Sequence, residues 1–122
     1  MGSDAADTGT RVPRVAEHLD LVFGLLQRAR RRYVLYYLST RKDEPVDSGD
    51  LVSAIRTYET GDSPGTDPPP RKELWIALYH THLPRLADTG VLEYDDRRGT
   101  VRSTMSPAVE EWVAHARHRE IE

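Results

Sequence analysis

The chain has 122 residues, no cysteine and a net charge of −3. It is long enough for one domain with a modest core, and disulfides, thiol nucleophiles, thiolate metal sites and cysteine redox sensing are excluded. No stretch approaches the roughly 18 to 20 apolar residues of a membrane span, and the N-terminus lacks a signal-peptide pattern, so a cytoplasmic protein without a membrane partner is expected.

Residues 1–14 hold Gly, Ser, Asp, Thr and one Pro with almost no apolar content and read as a flexible tail. Val15, Leu19, Val22, Phe23 and Leu26 recur at helical spacing and predict a first helix. Arg28 to Ser39 predicts a second, with Ala29, Tyr33, Val34, Tyr37 and Leu38 on one side and Arg28, Arg30, Arg31 and Arg32 at its start. Lys42 to Pro45 is a polar break. Val46-Asp47 then reads as the start of a third helix, capped by Asp47 and carrying Leu51, Val52, Ala54, Ile55 and Tyr58 as far as Gly61. Asp62 to Pro70 is full of helix breakers and predicts a surface loop.

Arg71 to Thr89 returns to helical pattern, with Ile76, Tyr79, Leu83, Leu86 and Ala87 on the expected buried stripe and Gly90 at the stop. Pro84 inside it removes a backbone bond to His80 and predicts a bend. Val91 to Tyr94 and Thr100 to Met105 flank Asp95-Asp96-Arg97-Arg98-Gly99 and predict a β-hairpin. Ser106-Pro107 caps a last helix whose stripe is Val109, Trp112, Val113 and Ala116. The expected class is therefore mainly α with a small β-hairpin (α+β). With the second helix read as continuous with the first, three helices, a hairpin and a further C-terminal helix follow the element order of a winged helix-turn-helix domain, here residues 15–105 with residues 106–122 as the additional helix.

The run Tyr79-His80-Thr81-His82-Leu83-Pro84-Arg85-Leu86-Ala87-Asp88-Thr89-Gly90-Val91-Leu92-Glu93-Tyr94 resembles the end of the recognition helix and the start of the wing in winged-helix repressors. The match falls on His82-Leu83, Leu86, Gly90, Val91 and Leu92. Arg30 to Leu38 resembles the helix that opens the domain in haloarchaeal regulators of the ArsR-like and PadR-like kind. Only Lys42 and Lys72 of the 17 basic residues are lysines, and this Arg-over-Lys, Asp-rich balance fits a high-salt organism. Together these features are similar, over residues 19 to 105, to a stress-responsive haloarchaeal transcriptional regulator. The Asp62 to Pro70 loop is longer than the usual turn of the motif, and Pro84 departs from its pattern.

The resemblance implies a homodimer on double-stranded DNA. On a recognition helix Arg71, Lys72, Thr81, His82 and Arg85 face away from the stripe and are the expected DNA contacts, since arginine reads guanine edges and Thr or Lys holds phosphates. Arg97, Arg98 and Arg102 are the expected wing contacts. Arg30, with its neighbours Arg28, Arg31 and Arg32, reads equally as a phosphate contact or as an ion-pair partner of acids such as Glu17, Asp20 or those at the C-terminus. Each of these residues also fits a solvated surface. Leu74 and Leu78 fall on the same side as the DNA contacts, so part of that face is expected to be covered.

Val109, Trp112, Val113 and Ala116 are the expected dimer seam. His80 and His82 point apart, and His115 with His118 completes no recognised ligand set, so neither a metal nor another cofactor is expected. With no phosphate loop or nucleophile motif, no enzyme is expected either. The net charge of −3 weighs against nucleic acid and leaves an alternative, a protein-interaction adaptor that keeps the fold and binds through Leu74, Trp75 and Leu78.

Overall fold

The computed structural model describes residues 18, 20–41, 44–62, 65 and 67–121. The expected tail over 1–14, together with Val15 and Leu19 of the first stripe, lies outside the described residues. Residues 18 and 20–25 form the described part of α1, which places Val22 in the core. The chain then turns, and Arg28 takes an extended conformation (φ −95°, ψ 123°) at the head of α2 (Ala29–Ser39). The two helices are thus separate.

The middle of α2 buries Tyr33, Val34, Leu35, Tyr36 and Leu38, which is more than a single stripe can hold. A helix apolar on all sides belongs at the centre of a domain, and α2 packs against α3 (Ser48–Asp62), α6 (Pro107–Glu120) and the sheet. At roughly 1.5–3 kcal/mol for each fully buried large apolar side chain, this run is a main source of stability. The end of α6 is clasped to α2 by charge: Arg32 Nε and Nη2 donate to Glu120 at 2.9 and 2.7 Å, and Tyr36 Oη donates at 2.7 Å. The Arg32 bond holds the Glu120 carboxyl below the usual carboxylate range, with the Tyr36 bond adding to it.

Val46–Asp47, read from sequence as a helix start, is strand β1. Beside it, β2 (Leu92–Asp95) and β3 (Thr100–Ser103) form the expected hairpin, and the antiparallel order is β1-β3-β2. The register pairs Val46 and Tyr94 with Val101 and Glu93 with Arg102. Alternation then turns Leu92, Tyr94 and Val101 inward and Glu93, Asp95 and Arg102 outward. A two-residue strand lies below what periodicity detects, which is why only two strands are legible in the sequence.

At the hairpin tip Asp95 Oδ1 accepts the Arg97 and Arg98 amides at 3.0 and 3.2 Å, and Gly99 at φ +64° closes the turn. The Ser48 amide donates 2.9 Å to the Gly99 carbonyl, tying the hairpin to the start of α3. Gly90, at φ +79°, makes the reversal ahead of β2. Ser106 Oγ accepts the Val109 amide at 3.3 Å with Pro107 in the first turn of α6, as its sequence implies. The molecule is mainly helical with one small antiparallel sheet, an α+β fold, and no described helix is long and apolar enough to cross a membrane.

Candidate nucleic-acid interface

The helix after the proline-rich loop runs as α4 (Arg71–Ala77), a π-helical turn (Leu78–His82) and α5 (Leu83–Asp88). The Leu83 amide donates to the Leu78 carbonyl, five residues back. That wider turn admits one extra residue and rotates everything before it relative to everything after it. Leu74, Leu78, Leu83 and Leu86 consequently share the buried face, at spacings of four, five and three.

An unbroken α-helix phased from Leu83 and Leu86 places Ile76 and Tyr79 inside and Leu74 and Leu78 outside. The structure reverses this for three of the four: Leu74 and Leu78 are fully buried, Ile76 is exposed, and Tyr79 is partly buried against the core. The π turn lies directly ahead of Pro84, where the ring removes an amide and crowds the carbonyl four residues back. The disturbance expected at Pro84 is therefore a change of helical phase, and it decides which side chains face out.

The outer face carries Lys72, Trp75, Ile76, His80, Thr81 and Arg85, all exposed. The Trp75 ring stacks on Tyr79 at 4.9 Å, and Tyr79 meets Tyr94 of β2 edge-on at 6.2 Å, so rings join this helix to the hairpin. Among the described residues no carboxylate pairs with Lys72, Arg85 or Arg97.

His82, Arg71 and Arg102 are placed differently from expectation, and Arg30 takes the ion-pair alternative of its two readings. His82 lies at 8% exposure, where Nδ1 accepts from Arg31 Nε at 3.1 Å, because the π turn carries it inward. Burial, then the positive charge of Arg31, pushes its pKa down to about 4, so the ring is neutral at pH 7. Arg71 reaches back to α3, donating to Ser53 Oγ at 2.8 Å and the Gly49 carbonyl at 3.0 Å. Arg30 is closed on Glu59 of α3 by bonds of 2.6 and 3.3 Å. Arg102 pairs across the strands with Glu93 at 3.2 Å. Arg98 lies 3.9 Å from Asp95, exposed at the tip beside Arg97.

The expected dimer seam also divides. Val109 and Val113 are buried in the chain's own core and Ala116 packs against it, whereas Trp112 is 51% exposed. A helix packing on α2 needs its valines for that contact, which leaves only the flank for a partner. On that flank Trp112 meets Phe23 edge-on at 5.5 Å, and Leu21 and Phe23 are exposed as well. The sequence missed this pairing because its two halves come from opposite ends of the chain.

No curated protein and no solved structure matches the chain. One family does, described as a domain of unknown function (DUF7344), and it matches residues 23–102. That range runs from Phe23 through the central helix, the phase-shifted helix and both strands of the hairpin, and it covers more than half of the sequence. The chain belongs to the DUF7344 family.

Proposed function

We propose that this protein is a winged helix-turn-helix regulator that binds double-stranded DNA as a homodimer. The observation that carries the reading is the outer face of the α4–π–α5 helix, where Lys72, Thr81 and Arg85 stand exposed on an element joined by its aromatic rings to a hairpin tipped with Arg97 and Arg98. The order helix, strand, helix, helix, strand, strand supports it, since β1 between α2 and α3 completes the sheet of a winged helix. In this reading the helix enters the major groove and the hairpin tip meets the flanking backbone or minor groove. Arg85 reads a base edge, Lys72 and Thr81 hold phosphates, and Arg71 ties the helix to α3.

Fluorescence anisotropy with fragments of the source genome against random duplex, at high salt, tests it. Saturable preference for some fragments is the expected result, with Arg85→Ala weakening specific binding by roughly 1 to 3 kcal/mol. Equal binding to random duplex, or none, overturns it.

The dimer forms through Leu21, Phe23 and Trp112, and a two-fold axis there presents two recognition helices to a pseudo-palindromic site. Trp112→Glu is expected to yield monomers by sedimentation with the fold intact, because Trp112 stands outside the core; an unchanged mass removes this surface from the reading. The adaptor alternative keeps only Trp75 of its docking face, Leu74 and Leu78 being buried.

A further inference from the structure

Three consecutive arginines open α2, and they are treated differently. Arg30 is closed on the Glu59 carboxylate and Arg32 on that of Glu120. Arg31, between them, is only 9% exposed, yet its one side-chain hydrogen bond among the described residues goes to a neutral imidazole, Nδ1 of His82. A buried guanidinium without a counter-charge is costly. An imidazole supplies one lone pair and no charge, so it holds Arg31 in place without neutralising it.

The surroundings add to the cost. Arg28 lies three residues before Arg31, at the N-cap of α2, and Arg85 lies three residues after His82, about one turn along α5. The Arg31–His82 bond brings these two pairs together, and both outer arginines are exposed. Burial first, then the charges of Arg28 and Arg85, lower the pKa of Arg31. With Nε committed to His82, the guanidinium keeps its Nη1 and Nη2 donors, whose fork matches two oxygens of a phosphate.

We infer that the junction of α2 and α5 is a phosphate site, in which Arg28 and Arg31 hold one phosphate group beside Arg85 and His82 is the positioning residue that aims Arg31. That the phosphate is a diester of duplex DNA rests on the function proposed above; free phosphate is the other source of the same chemistry. A single phosphate here would give Arg31 the negative charge that Glu59 and Glu120 give to its neighbours. It would also anchor the backbone beside Arg85 and so fix the register in which that residue meets a base.

Two measurements on the full chain test the inference. In the first, inorganic phosphate at constant ionic strength is titrated while the arginine Nε–H resonances are followed by NMR. The Arg31 resonance is expected to shift saturably in the native chain and not in Arg28→Gln. In the second, the slope of log affinity against log salt is measured on duplex DNA. It is expected to fall, by up to about 0.9, in Arg28→Gln and in His82→Leu, since each weakens the hold on that one phosphate, and to stay unchanged in His82→Gln, whose amide oxygen still accepts from Arg31. Arg28 is exposed, so its variant remains informative if those at Arg31 and His82 fail to fold. Duplex binding with an unaltered slope and no phosphate shift overturns the site and leaves the DNA reading standing. A phosphate shift in a chain that binds no duplex does the reverse, keeping the site with free phosphate as its ligand.

Discussion

Arg31 Nε donates to His82 Nδ1 across 3.1 Å in the interior, joining the central helix to the π turn of the outward-facing helix. The bond requires a neutral ring with its proton on Nε2. Protonation would remove the acceptor and set two cations face to face. The element that presents Lys72 and Arg85 is thus held to the core by a contact that depends on the charge of one imidazole.

Stability should follow that charge. His82 titrates near 4 in the folded chain against 6.5 for an ordinary histidine, so between those values the unfolded chain takes up a proton that the native one refuses. The contribution is complete above pH 6.5, is lost as pH falls towards 4, and changes no further below that. It amounts to at most about 3 kcal/mol for a shift of this size. Urea unfolding at pH 7, 5.5 and 4 checks it. The slope of stability with pH in this window should flatten in His82→Gln, which accepts from Arg31 but does not titrate. An equal slope in both chains would place the sensitivity elsewhere.

The π turn and Pro84 make a coupled prediction. Deleting the exposed Thr81 leaves Leu78 and Leu83 four apart, the spacing of an ordinary α-helix, so the core register survives. Pro84 then stands within a regular helix, lacking an amide and crowding the carbonyl four residues back, at a cost of about 3 kcal/mol. Adding Pro84→Ala to the deletion should restore most of that loss, while Pro84→Ala alone should change stability little because the π turn remains in place. Thermal unfolding of the three variants reads out the coupling. Additive losses from the deletion and the substitution would mean that Pro84 and the π turn are independent.

This phase change also marks where the sequence stops being legible. The helices, the hairpin and the Ser106 cap follow from periodicity and turn chemistry, because each is a local pattern. Which side of the Arg71–Asp88 helix faces out does not, since one inserted residue exchanges Leu74 and Leu78 for Ile76 and carries His82 inward. The fates of Arg71, Arg30 and Arg102 depend on partners 18 and 29 residues away in the first two cases and across a strand pair in the third. Spacing carries no record of such partners. Arg85 and Arg97 stand exposed as their sequence reading has them, because each lies on a surface whose local pattern is unbroken.

Arg30 and Arg85 offer a direct contrast between an arginine paired within the chain and one proposed to meet DNA. The Arg30–Glu59 pair is doubly bonded and partly buried, with side chains 32% and 19% exposed, so it should be worth about 1 kcal/mol after allowance for solvent screening. Arg30→Ala is therefore expected to lower stability by about that amount and to leave the salt dependence of duplex binding unchanged. Glu59→Ala should cost a similar amount, and the double variant less than the two together, since the second substitution breaks no further bond. Arg85→Ala should do the opposite, sparing stability and weakening duplex binding. Chemical unfolding and anisotropy on the same four variants separate the cases. A slope reduced by about 0.9 in Arg30→Ala would show that Arg30 leaves Glu59 to meet a phosphate in the complex.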